Sequence, residues 1–266
     1  MNDLSAQRGA GQPPDTAALA CLVREMMAKS VLSASKVYEY TVNPYVGCAH
    51  GCTYCYARFM RRFSGHREPW GAFVDVKVNA APLLAREIRR KPRGRVWVSG
   101  VCDPYQPVEE RCRLTRECIR LLTEAKWPVV VQTRSPLVLR DLDLLVAPEV
   151  EVGLSITTAD DDVRRLFEPH APAIPERVRA LAALHQAGVR TFAMIAPLLP
   201  GAEELPALLA GSVDRVLVDR MNYHYGAWVY RRQGLEACST DEYFADRGRQ
   251  LVSAFAKLGI PCQRCY

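Results

Sequence analysis

Three cysteines, Cys48, Cys52 and Cys55, fall in the stretch Asn43-Pro-Tyr-Val-Gly-Cys-Ala-His-Gly-Cys-Thr-Tyr-Cys-Tyr-Ala57, spaced C-x3-C-x2-C. Thiolates are soft ligands, and three of them on one short loop suit an iron–sulfur cluster. A cubane has four irons, so three thiolates leave one iron free to bind a small molecule. Gly47 and Gly51 let the backbone fold closely around a bulky group. The alternative is zinc. Zinc wants a fourth ligand, and His50 inside the loop could supply it only in a strained arrangement.

The spacing, with Tyr54 just before the last cysteine, resembles the cluster-binding signature of the radical S-adenosylmethionine (SAM) superfamily. In that family the open iron of a 4Fe–4S cluster chelates the amino and carboxylate groups of SAM. An electron from the cluster then cleaves SAM to methionine and a 5'-deoxyadenosyl radical. The resemblance therefore implies both cofactors, an electron donor such as flavodoxin or ferredoxin, and Tyr54 beside the cofactor. The protein's share is binding, orientation and exclusion of water.

The chain's 266 residues, 49% of them hydrophobic, suffice for one substantial core. No run of about 18 apolar residues suggests a membrane span, and the N-terminus has no apolar signal segment. Ten cysteines without a signal segment point to a reducing cytoplasm rather than a disulfide framework. The net charge of +6 admits a nucleic acid partner without demanding one. Residues 1–14 read as disordered, and a helical pattern starts near Asp15. Residues 1–30 form an N-terminal extension, 31–225 the core, and 226–266 a helical C-terminal extension ending in a CxxC.

Short runs rich in Val, Ile or Phe near 40–45, 95–100, 128–133, 150–156, 189–195 and 214–219 read as strands. Helical patterns lie between them, at about 79–91, 114–126, 138–146, 175–187 and 203–210. Alternating β and α elements argue for a parallel sheet. Six such units make an α/β fold of the partial (β/α)6 TIM-like barrel type. The chemistry of a barrel sits in the loops after its strands.

Each loop carries candidates. After the second strand, Asp103-Pro-Tyr-Gln-Pro-Val-Glu109 concentrates polar groups between two prolines. Together with the cysteine loop, this run resembles the spore photoproduct lyase-like branch of the family, often described as DNA repair photolyases, from about Tyr38 to near residue 220. Ser99, Asp103, Arg134 and Ser155 are the SAM contacts this resemblance implies. Arg134 stands where similar proteins commonly carry a lysine that meets the SAM carboxylate, a role a guanidinium can fill in bidentate fashion. Arg177 is a further candidate for the carboxylate, with a helix-surface arginine as the alternative. Pro197, in Ala196-Pro-Leu-Leu-Pro-Gly201, looks like the family's apolar rim for adenine; core packing is the alternative. Asp161 and Asp162 read as helix-capping residues. After the last strand, Tyr223, His224 and Tyr225 crowd the expected active-site end.

A product radical needs a hydrogen-atom donor, and thiols have weak S–H bonds. In that branch such a cysteine lies shortly before the corresponding aspartate loop; Cys102 is close to that place, though not at it. Buried packing is its alternative. Cys262 and Cys265 could be a redox dithiol, half a metal site or a second donor, and with Cys238 they suggest a second iron–sulfur cluster. Cys21, Cys112 and Cys118 read as packing residues on helices. Arg58, Arg61, Arg62, His66 and Arg67 interleave with Phe59, Phe63 and Trp70. Such a run can bind phosphates and stack bases; a solvated basic helix with its aromatic face turned inward is the reading preferred here. The expected activity is lyase-like radical chemistry, with a covalent pyrimidine photoproduct in DNA as the nearest analogy. Radical modification of a peptide, RNA or small molecule, or a non-catalytic iron–sulfur protein, are the rivals.

Overall fold

Six runs of β-branched residues line up in chain order as one parallel sheet. The computed structural model describes residues 21–266. Its strands are β1 (Leu22–Met26), β2 (Leu32–Ala34), β3 (Tyr40–Val42), β4 (Tyr45–Val46), β5 (Phe73–Lys77), β6 (Val96–Val98), β7 (Val129–Thr133), β8 (Val150–Ser155), β9 (Arg190–Ile195), β10 (Arg215–Val218) and β11 (Cys262–Arg264). The main sheet runs β11-β10-β9-β8-β7-β6-β3-β2, parallel throughout except for the antiparallel β2–β3 pair. The six strands β3 and β6–β10 are the expected barrel units. Helices Ala80–Ile88, Leu114–Glu124, Leu142–Leu145, Ile174–Gln186 and Leu205–Leu209 fall where the periodicity puts them.

The strands are short, but every residue of β8 is buried, as are Val129, Val130 and Val131 of β7. That near-continuous apolar run is what a parallel strand covered on both faces requires. Helical Leu84, Ile119, Leu122, Leu181 and Leu184 join the same core cluster. At the amino ends of the strands, Glu151 accepts from Arg95 (2.6 Å) and Arg215 (2.7 Å). The opposite end is left for the loops.

Three features depart from expectation. The first strand breaks at Asn43-Pro44, so the 40–45 run becomes β3 and β4; proline has no N–H to continue a ladder. β4 joins a second sheet, β1-β5-β4, that flanks the cysteine loop. Residues 1–14 and Asp15 lie outside the described residues, but Cys21 leads into strand β1 rather than lying on a helix. β1 shows no alternation because four of its five residues are exposed, and it is held by parallel pairing with β5. Finally, residues 226–266 hold the helix Asp241–Lys257, capped by Thr240, and end in β11 on the edge of the main sheet.

Candidate active site at the carboxyl ends of the strands

Asn43, the residue after β3, organises the site, and sequence reasoning missed it. Its Oδ1 accepts from the Ser99 hydroxyl (2.6 Å), the Gly100 N–H (2.8 Å) and the Val101 N–H (3.1 Å). One side chain thus sets the loop after β6 against the start of the cysteine loop. The only signal in the sequence was an asparagine stranded before Pro44 at the end of an apolar run. Asn43→Ala leaves three donors without their acceptor. The expected loss is about 2 kcal/mol in denaturant unfolding; a change below about 0.5 kcal/mol would show that the loop is held otherwise.

The cysteine loop is shaped by its glycines and by Gln106. Gly47 has φ +87°, and a Cβ there would collide with the Phe73 carbonyl oxygen. Fully buried Gln106 donates to Gly47 O (3.2 Å) and accepts from Ala49 N–H (2.9 Å). Thr53 N–H and its hydroxyl both reach Phe167 O, at 2.9 and 3.1 Å. The result holds Cys48 and Cys52 buried and Cys55 half-buried, all as free thiols.

Burial pushes the Cys52 thiol up to about 12 and raises Cys48 and Cys55 as well. Thiols in such surroundings give up their protons to a metal rather than to water. No three His, Cys, Asp or Glu side chains among the described residues converge on a single-ion position. Three soft thiols on one loop are the donor set that a cubane with one open iron uses. The Trp70 indole N–H is buried and makes no hydrogen bond to the protein.

Behind the loop lies a buried polar network. Glu168, with no exposure, accepts from the Tyr54 hydroxyl and from Thr157 Oγ1 (3.0 Å). Arg134 Nε lies 3.4 Å from it, and Arg134 Nη2 donates to Tyr54 Oη at 3.0 Å. Arg177 Nη2 forms an ion pair with Glu168 Oε2 at 2.5 Å. Burial alone would raise Glu168, but the two guanidiniums overcome it and hold its carboxyl at about 2.

Several expected contacts take other roles. Arg177 is neither on a helix surface nor open to a ligand. It is fully buried, with Nη1 on Ser155 O (3.0 Å) and Nε on Pro172 O (2.9 Å). Asp103 is taken up by the protein: Tyr105 N–H (2.9 Å) and Thr133 Oγ1 (2.5 Å) meet Oδ1, while Arg134 N–H (2.8 Å) and His50 Nδ1 (3.5 Å) meet Oδ2. Burial would raise its carboxyl, yet these groups bring it to about 2. Ser99 is turned onto Asn43. Ser155 accepts from Gln132 Nε2 at 3.2 Å, keeping its own proton to donate. Pro197 is buried at the end of β9. Cys102 Sγ lies 3.1 Å from Ser99 Oγ and 3.7 Å from Tyr45 O, packed beside Tyr45, Val74 and Val76.

The structure gives no support to a second cluster at the terminal cysteines, because it does not gather them with Cys238. Cys262 and Cys265 are three apart on an extended segment, so they face opposite sides. Cys262 packs on the main core and Cys265 is exposed, while Cys238 packs in a different group with Cys52 and Tyr54. Tyr223, His224 and Tyr225 are exposed. Gly226, the next residue, lies against Tyr54, where a Cβ would come 3.3 Å from that of the tyrosine. The aromatic segment therefore sits at the mouth of the site.

The sequence model of the radical SAM superfamily matches residues 42–205. The chain belongs to that superfamily. An uncharacterised protein of Methanocaldococcus jannaschii is 33% identical over 179 residues, covering 66% of this chain and 67% of its own. One from Mycobacterium tuberculosis is 32% identical over 189 residues, again 66% of this chain but 56% of the relative. The chain thus spans between about half and two thirds of these relatives. Among solved structures, a spore photoproduct lyase variant with bound AdoMet and dinucleoside spore photoproduct superposes with a TM-score of 0.67. It shares 16% identity, and the match covers 96% of this chain and 87% of the lyase. At that identity the likeness is one of fold. Membership implies SAM and a 4Fe–4S cluster, and the thiol set at Cys48, Cys52 and Cys55 fits the latter. No helix among the described residues is long and apolar enough to cross a membrane.

Proposed function

We propose that this enzyme cleaves SAM reductively and uses the resulting radical on a covalently altered pyrimidine in DNA. The observation that carries the first half is three free thiols, two buried and one half-buried, with an arginine beside them, at the carboxyl end of a six-strand parallel barrel. When bound, the cluster and SAM supply an electron and a 5'-deoxyadenosyl group for hydrogen abstraction. Cys48, Cys52 and Cys55 would hold the cluster. Arg134 uses Nε and Nη2 on Glu168 and Tyr54, which leaves Nη1 for the SAM carboxylate. Ser155 offers a hydroxyl, and Pro197 with Leu198 and Leu199 forms an apolar wall that excludes water. A low-potential donor such as flavodoxin or ferredoxin would supply the electron, in a reducing cytoplasm.

The DNA half draws support from the fold shared with a lyase solved with a dinucleoside photoproduct. The test is anaerobic reconstitution with iron and sulfide, then reduction with SAM present. About four irons and release of 5'-deoxyadenosine are expected; bound zinc, or SAM left intact, overturns the enzyme reading. An oligonucleotide carrying thymine photoproducts should be converted. If 5'-deoxyadenosine forms while every photoproduct survives, the substrate is of another class.

A further inference from the structure

We propose that the mouth of the barrel carries a binding ladder for single-stranded DNA, built from Tyr56, Tyr223, Tyr225 and Arg58; this rests on the DNA reading above. The rings of Tyr56 and Tyr223 stack at 6.4 Å and 26°, and those of Tyr223 and Tyr225 at 5.7 Å and 11°. The Arg58 guanidinium continues the pile, 4.9 Å above the Tyr225 ring. The three tyrosines are 39%, 51% and 39% exposed, so the pile presents to solvent the ring edges and whatever part of the faces its own stacking leaves uncovered. Stacked, half-exposed rings serve no core. They are a platform on which unpaired bases can stack, whatever their sequence.

The charge beside the ladder points the same way. A cleft of about 600 Å³ opens next to Tyr225, lined by Arg58, Arg61, Arg62 and His66 among others. About half of the arginines elsewhere among the described residues pair with a carboxylate, as Arg116, Arg120, Arg140, Arg164 and Arg215 do. Among the described residues, Arg58, Arg61 and Arg62 have no such partner. Phe63 on the same short segment is 75% exposed, so that ring does not turn inward as the sequence led one to expect, whereas Trp70 packs on buried Phe73. Uncompensated cations in a row beside stacked rings match a phosphate backbone with its bases splayed out. An acidic peptide would satisfy the arginines and leave the rings unused. A paired duplex hides the base faces that the rings require.

The experiment is fluorescence anisotropy of the reconstituted enzyme with labelled twelve-nucleotide oligo-dT, the matching duplex and oligo-U. The single DNA strand should bind about tenfold or more tighter than the duplex. Tyr223→Leu with Tyr225→Leu should weaken it by about tenfold or more, and the corresponding Phe pair should retain it, since only stacking is at issue. Arg61→Gln with Arg62→Gln should lower the salt slope by about 0.7 for each phosphate that the arginines no longer neutralise. Thermal unfolding, unchanged for these exposed sites, confirms that the variants fold. Equal binding of duplex, tighter binding of oligo-U, or full affinity in the Leu pair overturns the ladder. Photoproduct turnover together with a normal Leu pair sinks the ladder alone; strong single-strand binding without any photoproduct turnover sinks the lesion reading alone.

Discussion

Cys52→Ala is expected to lose reductive cleavage of SAM to background. Loss of an outer-shell partner of a metal site costs roughly 10–100-fold. Removing a ligand outright must cost more, because two thiolates cannot hold a cubane with one iron reserved for SAM. Iron content should fall with activity, and the reduced protein should lose the change in its electron paramagnetic resonance spectrum that added SAM produces. Cys118→Ala is the control. That thiol is buried on the helix Leu114–Glu124, far from the loop in sequence, and packs with Ile119 and Leu122. It should lose some stability and keep its iron. A Cys52 variant that still binds about four irons and cleaves SAM would remove the foundation of the functional reading.

Glu168→Gln is expected to be the most destabilising conservative change in the chain. The carboxylate has no exposure, and it neutralises Arg177, also fully buried, while anchoring Arg134. Gln keeps the shape and removes the charge, leaving a buried guanidinium uncompensated at a cost of about 3–5 kcal/mol. Denaturant unfolding measures it; a loss below about 1 kcal/mol would mean water or a side-chain shift relieves Arg177. The pH dependence follows from the same groups. Glu168 sits at about 2 in the folded state against an ordinary 4.5, and Asp103 at about 2 against 3.8. A carboxyl lowered by folding contributes stability that is complete above its ordinary value and lost as pH falls towards the folded one. Wild-type stability should therefore decline from about pH 4.5 to about pH 2, and the Gln variant should decline less steeply over that window.

The barrel was legible because its strands are continuous apolar runs with turn residues at their ends. Val129–Thr133 and Val150–Ser155 leave no other reading, and the loops that follow them carry the polar residues. The spacing of Cys48, Cys52 and Cys55, with Tyr54 before the last, pointed to the superfamily whose sequence model matches that stretch. Partnership between distant side chains was not. Asp103 and Arg177 are polar groups at the expected end of the barrel, yet tertiary contacts 30 and 9 residues away, to Thr133 and Glu168, use them up. β1 was hidden because an edge strand exposed along most of its length has no period to detect. Cys262 and Cys265 read as a pair in the sequence, and extended backbone separates them.

The Asp103 carboxylate acts as a shared fastener between the segments after β6 and β7 and the cysteine loop, through Tyr105, Arg134 and His50. Segments bolted to one point cannot drift independently during divergence: a change in any of them must be answered in the other two. The stretch from Tyr223 to Tyr225 is free of that fastener. New substrates in this lineage would therefore be acquired by rewriting the rim, while the parts that handle the cofactor stay as they are.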